Sequence, residues 1–288
     1  MITALAPASS ANLGPGFDAV GVALELWNEL VVEEWGSFEV VVEGEGADEV
    51  PRDDTHLALR AFAQFTSAEP YRFSLRNRIP LERGLGSSAA TIALGLVAGA
   101  AAAGARPTPD ELLAAGAPLE GHVDNLAAAI NGGVCVAWNR NGAPHAARIA
   151  GTTAFVPVAV VPEARTSTAS SRASLPATVS HADAAATAGS AAMLGAALAS
   201  VDPELLRASF HDRLHEQYRS ADAPLLGLLR EQLPDGAAAV TLSGSGPSVV
   251  VWAEPGRVGD VIGGVAKVVP TGTQVLPLPV SERGAHVQ

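Results

Sequence analysis

The segment Pro80-Leu81-Glu82-Arg83-Gly84-Leu85-Gly86-Ser87-Ser88-Ala89-Ala90 is the most informative stretch of the chain. Its glycines allow the backbone to turn sharply and to approach a ligand closely. The two serines then open a small-residue helix predicted over residues 89–103. The first turn of a helix presents unpaired N–H groups and a partial positive charge, which together bind phosphate. The segment therefore predicts a phosphate-binding loop.

This loop differs from two common phosphate-binding motifs. The sequence contains no Gly-Lys-Ser or Gly-Lys-Thr, so the loop is not a Walker A motif, and its glycine spacing does not match the dinucleotide-binding fingerprint. Taken alone, residues 84–88 would fit an ordinary turn that caps a packed helix equally well. The decision between these two interpretations depends on the rest of the chain.

Composition limits the kind of partner. The 288 residues carry a net charge of −12, with no cluster of Lys or Arg, which argues against nucleic acid and acidic membranes. An anionic ligand would therefore need a local source of positive potential, such as this loop. Cys135 is the only cysteine, which excludes an internal disulfide and a cysteine-based zinc site. The N-terminus does not resemble a signal peptide, and the longest apolar stretch, residues 89–104, falls short of the ~20 residues of a membrane span. We expect a cytoplasmic protein.

Strand and helix patterns mix without regular alternation, which favours an α+β fold. The pattern predicts a helix over residues 20–26, and capping boxes predict helices starting after Thr108 and after Ser180. A further helix is predicted from Asp202 to about Arg219. A composition shift over residues 139–153 suggests two domains, 1–150 and 151–288.

Three segments together resemble, in order and spacing, the three motifs of the GHMP kinases: residues 7–21, 80–90 and 242–248. The first, Pro7-Ala8-Ser9-Ser10-Ala11-Asn12-Leu13-Gly14-Pro15-Gly16-Phe17-Asp18, is similar to the homoserine kinase version. The resemblance implies a ribosomal S5 domain 2-like N-terminal domain and a ferredoxin-like C-terminal domain, with the active site between them. It also implies ATP and Mg²⁺ as cofactors, ATP binding by residues 80–90, and phosphorylation of the L-homoserine hydroxyl on the route to threonine.

The resemblance assigns the metal and the substrate to particular residues. Mg²⁺ prefers hard oxygen ligands, and the positions that match the family's metal ligands are Ser88 and Glu120. A substrate carboxylate calls for Arg, which forms paired charged hydrogen bonds, and an ammonium calls for carboxylate or amide oxygens. The matching substrate residues are Asn12, Asp18, Asn125, Arg172 and Arg219.

Three residues are assigned near the transferring phosphate. The resemblance places Asn125 at the attacking hydroxyl and the Thr168 hydroxyl beside the phosphate. Asp124 matches the proposed base of mevalonate kinase, whereas homoserine kinases are thought to work without a base. Proximity alone can lower a barrier by about 7–11 kcal/mol, so a base is not required and the role of Asp124 stays open.

Some residues depart from the family pattern. Ala169 stands where a lysine is common beside the phosphates, and Val123 and Gln217 stand where proline is common. His211 and His215 have the i, i+4 spacing of a zinc motif, but its glutamate and a third ligand are missing. We therefore expect these two histidines on a helix surface.

Two other functions remain open. The first is a GHMP kinase for another alcohol, such as mevalonate or a sugar, although an uncharged sugar would leave two pocket arginines without a carboxylate. The second is a non-catalytic binding protein of the same fold, against which the intact loop, Glu120 and Asn125 argue. In each case the partner is a small molecule, and a homodimer is common in the family.

Overall fold

The computed structural model describes all 288 residues, Met1–Gln288. Eleven strands form two sheets. In chain order they are β1 (Ile2–Asn12), β2 (Gly16–Glu34), β3 (Glu39–Gly44), β4 (Tyr71–Asn77), β5 (Val134–Arg140), β6 (Ala143–Ala150), β7 (Val156–Val161), β8 (Ala237–Leu242), β9 (Val249–Ala253), β10 (Gln274–Pro277) and β11 (His286–Val287).

Ten helices accompany the sheets, which confirms the α+β class. They are α1 (Leu57–Phe62), α2 (Ser87–Ala102), α3 (Pro109–Glu120), α4 (Val123–Asn131), α5 (Thr168–Ala173), α6 (His181–Ser200), α7 (Pro203–Ser209), α8 (Glu216–Arg219), α9 (Pro224–Glu231) and α10 (Val258–Val268).

The larger sheet has seven strands around the long strand β2. The order is β11-β1-β2-β4-β3, with β5 also paired to β2 and β6 paired to β5. The first part of β2 pairs with β5 and the second part with β4, so one strand spans the sheet. All neighbours are antiparallel except β3 and β4.

The helix predicted over residues 20–26 is wrong, because this run lies inside β2. Every side chain from Val20 to Leu24 is buried. A run that is buried on both sheet faces lacks the alternation of a half-exposed strand, and periodicity alone does not separate it from a buried helix.

Helix α2 packs against β1 and β2 and is buried nearly all round, which explains its Ala- and Gly-rich sequence. A Cβ atom on Gly95 would lie 2.0 Å from the Ala58 carbonyl oxygen, and one on Gly99 would lie 2.6 Å from the Phe62 carbonyl oxygen. Only glycine allows α1 to lie this close. The packing fixes the direction of α2 and hence the position of its N-terminus.

The smaller sheet has the order β10-β7-β9-β8 and is antiparallel throughout. With the helices between its strands it has the ferredoxin-like arrangement, and a second apolar core joins it to α9 and α10. The strands up to Ala150 belong to the larger sheet, while β11 returns to that sheet from the far end of the chain. The division into 1–150 and 151–288 stays a proposal.

Capping predicted the helix starts well but one helix end poorly. Thr108 forms the complete capping box of α3, and the Ser180 hydroxyl accepts the Asp183 N–H at the start of α6. The single helix predicted from Asp202 to Arg219 is wrong, because α7 ends at Ser209 and the chain becomes helical again only in the short helix α8, which starts at Glu216. The Asp212 side chain accepts backbone N–H groups that a continuous helix would have used.

Helix α6 is the one helix whose length and hydropathy would also suit a membrane span. Its buried residues Leu194, Ala197 and Leu198 belong to the main apolar core, as in a helix of a globular domain.

Candidate active site

The predicted phosphate loop lies between β1 and the third motif. Gly84 and Gly86 have φ of +77° and +66°, a left-handed conformation that favours glycine. A Cβ atom on Gly86 would lie 2.0 Å from the Ser9 hydroxyl oxygen, and one on Gly84 would lie 2.2 Å from the Ser243 carbonyl oxygen. The Ser243 hydroxyl donates to the Gly84 carbonyl at 2.6 Å. The second and third motifs are therefore in direct contact.

A cavity of about 440 Å³ opens over this loop. Residues 80–88 of the predicted segment line it, whereas Ala89 and Ala90 are buried in the core behind it. The Ser87 hydroxyl and the Asn77 side-chain carbonyl, both buried, have no hydrogen-bond partner in the protein. Both residues line the cavity, so a hydroxyl and an acceptor without partners lie just beneath its surface.

Ser88 and Glu120 both line the cavity and contact each other. The Ser88 hydroxyl donates to Glu120 Oε1 at 2.8 Å. Burial raises the pKa of Glu120 to about 7, against the lowering effect of that hydrogen bond, and nearby Asp124 adds to the rise. A half-buried carboxylate near another carboxylate, with no cation in contact, is an arrangement that a divalent cation would stabilise. The two residues fit a magnesium site.

Residues 120–125 form a wall shared by two cavities. Glu120 and Asn125 line the loop cavity, while Gly121 to Asp124 line a second pocket of about 350 Å³. Helix α3 ends at Gly121, whose φ of +79° allows the chain to reverse before α4 begins. The second pocket is completed by Asp18, Asn139 and Arg172.

Asp18 and Arg172 form an ion pair in the second pocket. Arg172 Nη2 donates to Asp18 Oδ1 at 2.7 Å, Arg172 Nε donates to His122 at 3.1 Å, and the guanidinium lies 5.8 Å from the Phe17 ring centre. Asn12 Oδ1 accepts the Asp18 N–H at 2.9 Å. Asn12 and Asp18 both have positive φ, a conformation that Asn and Asp adopt more readily than other non-glycine residues.

Arg219 and Asn12 lie one layer behind this pocket and do not line it. Arg219 is only 3% exposed and donates to the Ser171 carbonyl at 3.3 Å, next to Arg172. Asn12 Nδ2 donates to the Gly244 carbonyl at 2.8 Å. In this structure both residues hold the backbone around the pocket.

The expectation of a surface position is wrong for His215, which is fully buried. Its Nε2 lies 2.8 Å from the Gly14 carbonyl, which can only accept, so Nε2 carries the proton. Nδ1 is then free to accept from Arg219 Nη1 at 3.2 Å. The ring stacks on Phe17 at 4.8 Å, and burial lowers the pKa of His215. A neutral histidine thus orients Arg219.

Asp124 and Asn125 begin α4 at the shared wall. The Asn125 N–H donates to Asp124 Oδ1 at 2.7 Å, and the Ser9 hydroxyl donates to Asn125 Oδ1 at 3.0 Å. The Asn125 amide therefore has a fixed orientation at the phosphate loop. Burial raises the pKa of Asp124 to about 6, because the charged form is poorly solvated there.

Thr168 opens α5 and lines the loop cavity, and its place beside a phosphate stays a prediction. Ala169 supplies no cation, but Arg165 also lines the cavity. The sequence reasoning missed Arg165, together with His122 and Phe17. A signal existed for His122, which lies between the metal and substrate positions of its motif.

Comparisons with known proteins identify the family of this chain. Residues 55–133 match the family model of the GHMP kinases N-terminal domain. A homoserine kinase of Streptomyces avermitilis is 40% identical over 291 residues, covering 98% of this chain and 93% of the relative. A homoserine kinase of Mycolicibacterium smegmatis is 44% identical over 273 residues, covering 86% of this chain and 83% of the relative.

Solved structures show the same fold. The homoserine kinase from Cytophaga hutchinsonii superposes with a TM-score of 0.89 at 23% identity, over 100% of this chain and 97% of that one. A mevalonate kinase superposes with a TM-score of 0.72 at 13% identity, over 97% and 99%. Because the relatives above are at least 40% identical over most of their length, this chain belongs to the homoserine kinase family of the GHMP kinases.

Proposed function

We propose that the protein transfers the terminal phosphoryl group of ATP to the hydroxyl of L-homoserine, giving ADP and O-phospho-L-homoserine. The observation that carries the proposal is the shared wall at residues 120–125. On one side lies a cavity over a phosphate-binding loop, and on the other a pocket in which Asp18 and Arg172 form an ion pair and which Asp124 also lines. A nucleotide and an amino acid fit these two sides.

The nucleotide phosphates would lie on the backbone around Gly84 and Gly86 and at the N-terminus of α2. The free N–H groups of the first helical turn supply a local positive potential on a protein of net charge −12. The unpartnered Ser87 hydroxyl can donate to a phosphate oxygen, and Thr168 contributes a second hydroxyl from across the cavity.

Ser88 and Glu120 would hold Mg²⁺. The raised pKa of Glu120 supports this, since burial makes its charged form unfavourable without a cation. When bound, the ion neutralises charge on the phosphates, which is a main requirement of phosphoryl transfer. Glu120 must lose its proton to bind the metal, so metal binding and proton release are coupled.

Homoserine would bind by replacing the ion pair of the second pocket with two new ones. Its carboxylate would pair with Arg172 and its ammonium with Asp18. The two side chains are in direct contact at 2.7 Å and partly exposed, so they would separate to admit the substrate between them. Arg219 and Asn12 support them from behind and remain proposed substrate residues. The hydroxyl would point through the wall to Asn125, whose amide is fixed by Ser9.

Orientation carries most of the proposed catalysis. Asn125 holds the attacking hydroxyl while the loop holds the phosphate, and proximity of this kind can lower a barrier by about 7–11 kcal/mol. The wall has two carboxylates, and with Glu120 assigned to the metal, Asp124 is the one left to accept the hydroxyl proton. Its raised pKa of about 6 suits a base near neutral pH, so it remains the proposed candidate.

A coupled assay of ADP release tests the proposal across homoserine, mevalonate and neutral sugars. We expect turnover with homoserine, dependent on magnesium, and a raised KM for homoserine but not for ATP in Arg172→Ala and Arg219→Ala. Turnover of mevalonate or a sugar without homoserine turnover would contradict the substrate assignment. Binding of nucleotide without turnover of any acceptor would instead favour a non-catalytic protein. A cytoplasmic location and a homodimer remain further proposals.

A further inference from the structure

The loop cavity has few cations for a ligand as acidic as a nucleotide triphosphate. Its charged lining side chains are three carboxylates and two guanidiniums, namely Glu49, Glu82, Glu120, Arg83 and Arg165. The carboxylates thus outnumber the guanidiniums even before an anionic ligand enters. Whether Arg83 or Arg165 can reorient towards a phosphate depends on the contacts that each side chain makes in the free protein.

Arg83 is held by backbone carbonyls. Its Nε donates to the Pro162 carbonyl at 3.0 Å and its Nη2 donates to the Glu163 carbonyl at 3.1 Å. The side chain is 16% exposed. Moving it would leave two carbonyls and a mostly buried charge without partners, which is unfavourable. Arg83 therefore joins the loop to the start of the next segment and stays in place.

Arg165 is held only by a side chain. Its two terminal nitrogens bind the two carboxylate oxygens of Glu49, with Nη2 at 2.8 Å from Oε1. The side chains are 36% and 52% exposed, and both residues line the cavity although 116 positions separate them. Exposed ion pairs contribute little to stability, because water solvates the separated charges well. This pair can be exchanged at low cost.

The backbone beside Arg165 is fixed to the phosphate loop. The Thr166 N–H donates to the Glu82 carbonyl at 3.0 Å, which places Arg165 one residue from a direct contact with the loop. A guanidinium binds a phosphate through the same two parallel hydrogen bonds that it makes to a carboxylate. The contact with Glu49 therefore has the geometry that a phosphate group would require.

We propose that Arg165 exchanges Glu49 for the nucleotide phosphates, which makes Arg165 a phosphate-binding residue and Glu49 its counter-ion in the free enzyme. The inference rests on the proposed function, because it assumes that a nucleotide occupies this cavity. It accounts for the absence of a lysine at Ala169, since the cation comes from four residues earlier. Glu49 competes with the phosphates and so sets how tightly they bind.

Calorimetric titration with magnesium and the non-hydrolysable analogue AMPPNP, without homoserine, tests the exchange. Arg165→Ala should weaken AMPPNP binding by about 10- to 100-fold, as expected for a lost charged hydrogen bond. It should leave adenosine binding unchanged, because adenosine has no phosphate. Arg165→Lys should fall between wild type and Arg165→Ala. Glu49→Gln should tighten AMPPNP binding by roughly two- to fivefold, the effect of removing a weak exposed competitor.

Arg207→Ala is the matched control, because Arg207 forms a similarly exposed pair with Glu254 at 2.8 Å and does not line the cavity. It should bind AMPPNP like wild type. The inference is overturned if Arg165→Ala binds AMPPNP normally, or if it loses adenosine binding equally. It is also overturned if Glu49→Gln weakens AMPPNP binding, since the pair of Glu49 and Arg165 would then stabilise the structure of the site instead of competing with the phosphates. A wild type that binds AMPPNP but does not phosphorylate homoserine would refute the proposed function alone.

Discussion

Replacing Asp18 by Asn should weaken the binding of homoserine and strengthen the binding of 4-hydroxybutanoate, which lacks the ammonium group. In the free protein Asp18 pairs with Arg172 at 2.7 Å, with the side chains 42% and 40% exposed. Such an exposed pair contributes about 1 kcal/mol or less. With homoserine bound, Asp18 would instead meet the ammonium, a charged hydrogen bond of about 1.5–3 kcal/mol.

The Asn variant loses the ammonium contact but also releases Arg172. The difference is a net loss of about 0.5–2 kcal/mol, or roughly a 2- to 30-fold higher KM for homoserine. 4-Hydroxybutanoate has the carboxylate and the hydroxyl but no ammonium. Its binding should improve by up to about fivefold, because Arg172 no longer has to leave a partner.

Steady-state ADP release gives the KM for homoserine, and competition with homoserine gives the inhibition constant of 4-hydroxybutanoate. Asp235→Asn is a suitable control, since Asp235 forms an exposed pair with Arg257 and lines neither cavity. It should change neither constant. If Asp18→Asn weakens both ligands, or leaves homoserine unaffected, the assignment of charges in this pocket is wrong.

Three further changes test other parts of the site. Glu120→Gln should raise the magnesium concentration needed for half-maximal activity by at least about tenfold. An unchanged magnesium titration would show that Glu120 does not bind the metal. Gly86→Ala should abolish AMPPNP binding and lower the free energy of unfolding in urea by more than Gly36→Ala. Gly36 has the same left-handed conformation, but no atom lies near the position of an added Cβ. Gly36→Ala therefore has only the backbone cost of about 1–2 kcal/mol. In Gly86→Ala the added methyl carbon would also lie 2.0 Å from the Ser9 hydroxyl oxygen in β1. The pKa of buried His215 lies below its unfolded value of 6.5, so the folded state binds fewer protons there and unfolding should become easier as the pH falls from 7 to 5. Urea titrations should show a shallower loss for His215→Gln, and an equal slope would exclude this histidine as a cause.

Local chemistry made part of the site readable from the sequence. The glycine and serine pattern of residues 84–88 predicts a turn into a helix, and the structure has that turn with both glycines at positive φ. The capping box at Thr108 likewise fixes the start of α3 through contacts within four residues. Such signals depend only on residues that are close together in the chain, so the sequence alone is enough to recognise them.

Other features depend on residues far apart in the chain. The burial of His215 depends on Phe17 and on the Gly14 carbonyl, 201 positions away, and no local pattern reports either. Arg165 is recognisable as a cavity residue only once its contact with Glu49 is known. The strand at residues 20–26 is hard to recognise for a similar reason, since distant elements cover both faces of residues 20–24.

Contacts behind the substrate pocket join residues that are far apart in the sequence, which also constrains how the molecule acquires activity. Asn12 meets Gly244 across 232 positions and Ser10 meets Ser243 across 233, so the two ends of the sequence must come together before Asp18 is oriented. Loops of this length close late, because their entropy is lost before their contacts form. During refolding from urea, the return of catalysis should lag behind the return of helical circular dichroism. During synthesis, a nascent chain that has not yet released Gly244 from the ribosome should hold nucleotide and homoserine poorly.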